Sequence, residues 1–207
     1  TYSIYQMENN SSVTIAENLT IEGLDIVADG FATTDNELII DGDVKLLSLK
    51  VWTSNNGITV NTTGSVWMGY GDGQLDLAYG NGFLTVNGTL TDTDILPDKP
   101  QFQAGYSGTR GSGNTVNLNN TYFEAGEWFT IDGSNGTINV DNSVLKVSGE
   151  KGLEIDSSGN VINVDNDSRL IVSSITVAEK NAIEVNNSSL EVGTITNSGT
   201  ISIDNST

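Results

Sequence analysis

The chain has 207 residues, of which 36% are apolar, so it can bury the core of one domain of ordinary size. Eight Lys and Arg against 27 Asp and Glu give a formal net charge of -19, which opposes binding to nucleic acid and to anionic lipid. The sequence has no Cys and no His, which excludes disulfides, thiol chemistry, a Ser-His-Asp arrangement and the commonest zinc ligand.

The acidic balance is most simply explained by a solvated acidic surface that keeps the protein soluble. Binding of a divalent cation or of a basic partner is the alternative explanation. No apolar run approaches the roughly 20 residues that cross a bilayer, and the first residues lack a basic region followed by a hydrophobic segment. We therefore expect no direct membrane contact in this segment, and we expect any export signal or anchor to lie outside it.

The N-terminal half contains weak copies of a short motif, in which an aliphatic residue precedes Asp or Asn and small polar residues. The copies start at Glu8, Ile40, Val60, Val86 and Leu118, the first being the least regular. Neighbouring copies are 20 to 32 residues apart. Such loose spacing is typical of a repeated structural unit into which loops of different length are inserted.

Between residues 52 and 130 the repeat is irregular. Eleven of the fourteen aromatic residues fall between Trp52 and Phe129, and both prolines lie in the same region. The longest irregular stretch runs from Leu96 to Asn114 and contains four glycines. Because loops inserted in a rigid scaffold often carry binding residues, we expect a ligand site here.

Aromatic faces with carboxylates and amides nearby are suited to holding sugar rings. The candidate ligand-binding residues are Trp67, Tyr70, Asp72, Tyr106, Arg110 and Trp128. The alternative is that alternating Trp and Phe, as in residues 128–131, belong to the core or to the stacking between coils. No catalytic residues are predicted.

Residues 69–76, Gly-Tyr-Gly-Asp-Gly-Gln-Leu-Asp, resemble the Gly- and Asp-rich nonapeptide of calcium β-rolls. A β-roll needs tandem copies, whereas this motif occurs once and out of register by one residue. A Gly-rich turn is therefore the simpler interpretation, and we predict no metal site and no cofactor. The alternative is a Ca²⁺ site at this motif, which calorimetry with Ca²⁺ before and after chelation would test.

The C-terminal residues 131–207 contain the most regular copies. Val140, Val164, Val185 and Ile203 each precede Asp or Asn, a further Asn and a small polar residue, and they are 24, 21 and 18 residues apart. Between the copies, aliphatic residues recur at i and i+2, as in residues 183–185, which predicts strands with one buried face. Asn-Gly and Asp-Gly dipeptides predict the turns.

About three short strands per repeat predict an all-β chain wound as a flattened or triangular parallel β-helix, or β-solenoid, of about eight irregular coils. We expect one domain over residues 1–207, a fragment of a longer repeat-containing protein, with loops inserted in 52–130 and regular coils in 131–207. Stacked Asn side chains at equivalent corners are expected to form a structural ladder. Its predicted members are Asn142, Asn166, Asn187 and Asn205. Solvated turns of an ordinary β-sandwich are the alternative for these residues.

The Val-Asp-Asn-Ser strings and the Asn-Gly-Thr-Ile-Asn-Val string at residues 135–140 resemble those of a known group of proteins. They are similar to right-handed parallel β-helices of bacterial surface proteins, especially autotransporter passengers and related adhesins of the pectin-lyase-like fold. The resemblance covers most of the chain from residue 8 and is strongest after residue 131. It implies a right-handed β-helix and an extracellular place at the bacterial cell surface more firmly than it implies an activity.

From these features we expect a secreted adhesin or stalk segment without enzymatic activity, acting in cell adhesion and virulence. Its expected partner is a host glycan, a host surface protein or another copy of itself. A carbohydrate-active enzyme of the same fold, either a polysaccharide lyase or a glycoside hydrolase, is the first alternative, because that fold carries such enzymes. A purely structural spacer is the second.

Overall fold

The chain alternates short strands and turns, as expected from its period-two aliphatic pattern and its Asn and Gly dipeptides. The computed structural model describes residues 10–20, 25–28, 35–51, 54–69 and 73–207. These ranges contain 21 strands and no α-helix. A helix able to span a membrane is accordingly absent from them.

The strands are β1 (Ser12–Ile15), β2 (Leu19–Thr20), β3 (Asp25–Ala28), β4 (Glu37–Ile40), β5 (Asp43–Lys45), β6 (Ser48–Val51), β7 (Gly57–Val60), β8 (Ser65–Trp67), β9 (Gln74–Leu77), β10 (Phe83–Asn87), β11 (Phe102–Thr109), β12 (Thr115–Asn119), β13 (Tyr122–Ile131), β14 (Thr137–Asp141), β15 (Val144–Val147), β16 (Gly152–Ile155), β17 (Val161–Asp165), β18 (Arg169–Val177), β19 (Ala182–Asn186), β20 (Ser189–Asn197) and β21 (Thr200–Asp204).

Consecutive strands occupy three faces in turn, and each strand pairs in parallel with its equivalent one turn later. Face A contains β1, β4, β7, β10, β12, β14, β17, β19 and β21. Face B contains β2, β5, β8 and β15, together with the first halves of β11, β13, β18 and β20. Face C contains β3, β6, β9 and β16, together with the second halves of the same four long strands. The predicted parallel β-solenoid of about eight turns is confirmed, with β1 opening turn 1 and β19 opening turn 8.

A column of aliphatic side chains runs through face A from the first turn to the last. Consecutive turns place its members in direct register. The members are Ile15, Ile40, Val60, Val86, Leu118, Val140, Val164, Val185 and Ile203. From Ile40 to Val185 these side chains are at most 1% exposed. Eight intervals of about 4.8 Å make the column about 38 Å long.

The inward positions of faces B and C complete the core. Phe102 and Phe123 stack with their ring centres 4.8 Å apart, and Phe129 packs against Phe123 at 5.9 Å. All three side chains are fully buried. The aromatic-rich middle of the sequence therefore contributes phenylalanines to the core. For Phe129 this confirms the alternative interpretation, in which residues 128–131 belong to the core or to the stacking between coils.

Two predictions about where the repeats and the insertion lie along the sequence are wrong. The sequence motif predicts that the N-terminal copy starts at Glu8, but the residue aligned with Ile40 is Ile15. Glu8 lies outside the described residues, and Asn10 has a φ of 57°, which is typical of the corner before face A. The irregular stretch Leu96–Asn114 is also misplaced, because its centre forms β11, whereas the insertion occupies residues 88–101. Gly105 and Gly108 favour a loop by composition, but in the structure they lie in β11.

Candidate ligand-binding site

The six predicted ligand-binding residues do not form one cluster. Trp67 ends β8 on face B, while Tyr106 and Trp128 lie in β11 and β13 on face C, followed by Arg110 at the end of β11. Tyr70 and Asp72 lie outside the described residues. The fold therefore divides the described candidates between an aromatic–Arg cluster on face C and a single exposed indole on face B.

On face C, the Trp128 ring contacts other side chains. Tyr106 and Trp128 are in register on neighbouring strands, and their rings meet edge to face with centroids 5.3 Å apart. The Lys151 ammonium lies 4.3 Å from the centre of the Trp128 ring. A neighbouring ring and a cation already contact the face of this indole, so the Trp128 ring is better suited to joining successive turns than to stacking on a sugar. Its buried Nε1 has no hydrogen-bond partner among the described residues.

Arg110 is paired with Asp76 of the preceding turn. Its Nε donates to Oδ1 of Asp76 at 3.0 Å, and its Nη2 donates to Oδ2. The Asp76 carboxylate is 1% exposed, so the bidentate guanidinium neutralises a charge that would be costly to bury alone. The hydrogen bond to Asp76 raises the pKa of Arg110. The pair is thus a closed structural contact.

Tyr106 lies over Gly108, where a Cβ atom would come within 2.6 Å of the phenolic oxygen. Burial, followed by the negative charges of Asp132 and Asp76, raises the pKa of Tyr106 to about 12, with Arg110 opposing the shift. The phenol therefore stays neutral at physiological pH. Its ring packs against Trp128 and Gly108.

A buried carboxylate on face B has no counterpart among the predicted residues. Glu124 is 5% exposed and accepts hydrogen bonds from the Tyr122 hydroxyl at 2.6 Å and from Ser148 Oγ at 2.9 Å. Lys146 Nζ lies 3.0 Å from its Oε1. Burial tends to raise the pKa of Glu124, but the bonds from Tyr122, Lys146 and Ser148 lower it overall. A lone Glu in an alternating strand gives no sequence signal for such a site.

The insertion at residues 88–101, here called the strap, leaves β10 and crosses the corner between faces A and B. The Nη1 of Arg169 donates to the Thr93 carbonyl at 3.0 Å, and Thr93 Oγ1 donates to the Asp167 carbonyl at 2.5 Å. At the C-terminal end of the strap, Gln101 Nε2 donates to the carbonyls of Asn87 and Gly64 at 2.7 and 3.0 Å. The strap is therefore fixed to the solenoid at its apex and at its C-terminal end.

The strap and face B enclose a groove with a volume of about 1090 Å³. Trp67 lines this groove and is 48% exposed, the indole facing outward from a position next to Gln103 on β11. Gln103 also lines the groove, is 1% exposed, and its Nε2 has no hydrogen-bond partner among the described residues. Of the predicted site residues that the structure describes, Trp67 alone lines this groove.

The four predicted ladder asparagines occupy equivalent corners after face A and share left-handed φ angles, between 41° and 58°. Asn142 donates to Asn120 Oδ1 at 2.7 Å, whereas Asn166 donates to Asp141 Oδ1 at 2.5 Å. Their common feature is thus the backbone turn. The continuous hydrogen-bonded ladder at this corner is made by the serines that follow, Ser143, Ser168, Ser188 and Ser206, whose hydroxyls accept backbone N–H groups of the preceding turn at 3.0 to 3.1 Å.

A second, buried ladder lies at the corner before face A and was not predicted. Its members are Asn36, Asn56, Asn114, Asn160 and Asn181, all at most 4% exposed. Their Oδ1 atoms accept backbone N–H groups of the preceding turn, at 2.6 Å from Gly136 to Asn160, for example. Each of these asparagines follows a residue with positive φ. A turn-forming residue followed directly by Asn is therefore the sequence pattern that could have predicted this ladder.

The described residues contain no group of three or more acidic side chains arranged to hold a metal ion. The calcium-like motif at 69–76 is described only at Gly69 and from Gly73 onward, and residues 70–72 lie outside the described ranges. Gly73 needs to be glycine for packing, because a Cβ atom there would come within 2.0 Å of the Met68 carbonyl oxygen.

Comparison with protein-family models, with curated proteins and with solved structures found no match to this chain.

Proposed function

We propose that this chain is a rigid segment of a bacterial cell-surface adhesin or stalk, which holds a recognition surface away from the cell. The single observation that supports this proposal best is the unbroken column from Ile15 to Ile203. A column in register over eight turns resists bending, because every turn is hydrogen-bonded to the next along three faces. The strap then provides one distinct surface on an otherwise repetitive rod.

The proposal places the protein outside the cell, in contact with a host glycan, a host surface protein or another copy of itself. The acidic composition agrees with a solvated rod and disfavours anionic partners. The resemblance of the Val-Asp-Asn-Ser strings to those of bacterial surface β-helices supports the same location.

The proposal is tested by combining a binding screen with an activity screen on the intact chain. We expect binding to a glycan array or to host cells, with no release of reducing sugar and no new ultraviolet absorbance from acidic polysaccharides. Turnover in either assay would favour a glycoside hydrolase or a polysaccharide lyase. Absence of both binding and turnover would leave only the structural spacer.

A further inference from the structure

We propose that the groove between the strap and face B binds a neutral oligosaccharide, with Trp67 as the stacking platform and Gln103 as a hydrogen-bond donor beside it. This inference rests on the proposed function and names its recognition site. It differs from the sequence-based site, because on face C the Tyr106 and Trp128 rings contact each other, Lys151 lies over Trp128, and Arg110 is paired with Asp76.

Trp67 has the properties of a sugar-stacking platform. It is 48% exposed in the wall of a groove of about 1090 Å³. Its neighbours in the outward-facing row of face B are Lys45 and Gln103, in direct register on the adjacent strands. A flat indole held on a strand loses little conformational freedom when it packs against the C–H face of a pyranose.

Gln103 supplies an independent indication of a ligand. Its side chain lines the groove and is 1% exposed, yet its Nε2 atom lacks a hydrogen-bond partner in the described part of the chain. A buried donor without an acceptor destabilises the folded chain. A ligand hydroxyl reaching the floor of the groove would provide the acceptor and remove that destabilisation.

The charge of the groove favours a neutral ligand. Its lining has three carboxylates, from Asp43, Asp92 and Asp98, and two ammonium groups, from Lys45 and Lys99. The groove is therefore nearly balanced, although the chain as a whole carries -19. An anionic sugar gains no net attraction there and meets long-range repulsion from the rest of the chain.

The remaining lining combines hydroxyl groups with apolar side chains. Thr62, Thr63, Ser65, Thr89 and Thr91 bring hydroxyl groups to the walls, beside the apolar Leu90, Ile95, Leu96, Pro97 and Pro100. A mixture of an aromatic face, short apolar side chains and many hydroxyls matches the alternating C–H and O–H surfaces of a sugar chain.

The test uses the intact chain and four neutral hexasaccharides, namely cellohexaose, maltohexaose, mannohexaose and chitohexaose, followed by tryptophan fluorescence and calorimetry. We expect at least one of them to bind. Trp67→Ala should weaken that binding by about tenfold or more, Trp67→Phe by a few-fold, and Gln103→Leu by about fivefold. Tyr79→Ala is the matched control, because Tyr79 is a 55% exposed aromatic residue outside the groove lining, and it should leave affinity unchanged.

Thermal unfolding and circular dichroism of each variant show whether a lost interaction reflects misfolding. Unchanged affinity in a folded Trp67→Ala variant, or binding only of hexagalacturonate or a proline-rich decapeptide, would overturn the inference. If the hexasaccharides do not bind while the intact chain still adheres to host cells, the groove assignment fails and the proposed adhesin function stands. Failure of all binding assays would contradict both.

Discussion

At the scale of single residues, each corner of the solenoid depends on neighbouring residues with different structural roles. Asn142 and its equivalents take the left-handed backbone conformation that the turn requires. The serine that follows, such as Ser143, accepts a backbone N–H from the preceding turn. In the Val-Asp-Asn-Ser motif, Val therefore packs in the core, Asn forms the turn and Ser accepts the hydrogen bond of the ladder.

The buried ladder before face A is expected to contribute substantially to stability. Replacement of Asn160 by Ala removes the acceptor for the buried Gly136 N–H. We expect the free energy of unfolding to fall by about 1–3 kcal/mol, measured by urea denaturation.

The matched control for this replacement is Asn18→Ala. Asn18 Oδ1 accepts the N–H of Asp43 in the same manner, at 3.0 Å, but in an exposed position. Water can replace that bond, so the free energy of unfolding should change by less than about 0.5 kcal/mol. Equal losses in the two variants would show that burial of the ladder is not what makes it stabilising.

The phenol of Tyr106 makes stability depend on alkaline pH. Its folded pKa of about 12 lies above the usual value of 10, so the stability it contributes is fully present below pH 10 and is lost as pH rises toward 12. Urea unfolding at pH 8, 10 and 11 should show the wild-type chain losing stability more steeply than Tyr106→Phe. Parallel curves for the two proteins would contradict this origin of the alkaline loss.

At the scale of elements, the strap is the feature that distinguishes the middle of the rod. Its apex is held by Arg169 of β18, which donates to the Thr93 carbonyl and lies 3.8 Å from the Asp94 carboxylate, and by the bond from Thr93 Oγ1 to the Asp167 carbonyl. The same guanidinium binds Glu191 of the next turn. The strap is thus connected to turns that are distant from it in sequence.

Arg169→Ala should loosen the strap without unfolding the solenoid. Loss of one charge-assisted hydrogen bond and a partly exposed ion pair corresponds to about 1 kcal/mol, or about fivefold more of the open state. A protease that cleaves before Asp should therefore cut at Asp92, Asp94 or Asp98 about fivefold faster.

The control for the strap experiment is Glu191→Gln, which removes the other carboxylate partner of Arg169 and keeps the contact with Thr93. Its cleavage rate should stay close to that of the wild-type chain. If Glu191→Gln and Arg169→Ala are cleaved equally fast, the strap is not held by the contact with Thr93.

At the scale of the whole molecule, a high negative charge is distributed over a rod only about 38 Å long. Self-repulsion among 27 acidic side chains opposes the folded state, and salt screens it. Raising NaCl from 10 to 200 mM should increase the melting temperature by about 2–5 °C.

CaCl₂ and MgCl₂ at the same ionic strength serve as the comparison. Equal effects of the two salts are expected, because screening alone does not distinguish the cations. A larger increase with Ca²⁺, abolished by chelation, would show a specific calcium site and would revive the interpretation of residues 69–76 as a calcium-binding turn.

The sequence by itself determined the repeat, the strand faces and the stacking of Val140, Val164, Val185 and Ile203. These follow from local rules, because alternate residues of a strand point to one side and equivalent residues of each turn must fill the same tube. The same rules failed where the length of a turn changed. The prediction of a copy at Glu8 is wrong because a few added residues shift the register without changing the composition. The prediction of a loop over Leu96–Asn114 is wrong because Gly105 and Gly108, which are typical of loops, lie in β11.

Only the tertiary structure decided which side chains meet between turns. Arg110 pairs with Asp76 across 34 residues, and Arg169 holds Thr93 across 76 residues. The aromatic residues illustrate the same limit, since Phe129 enters the core, Trp128 contacts Tyr106, and Trp67 stays exposed in the groove. Their spacing in sequence does not distinguish these outcomes, because lateral contacts depend on the number of residues in each intervening turn and on the path of the strap across them.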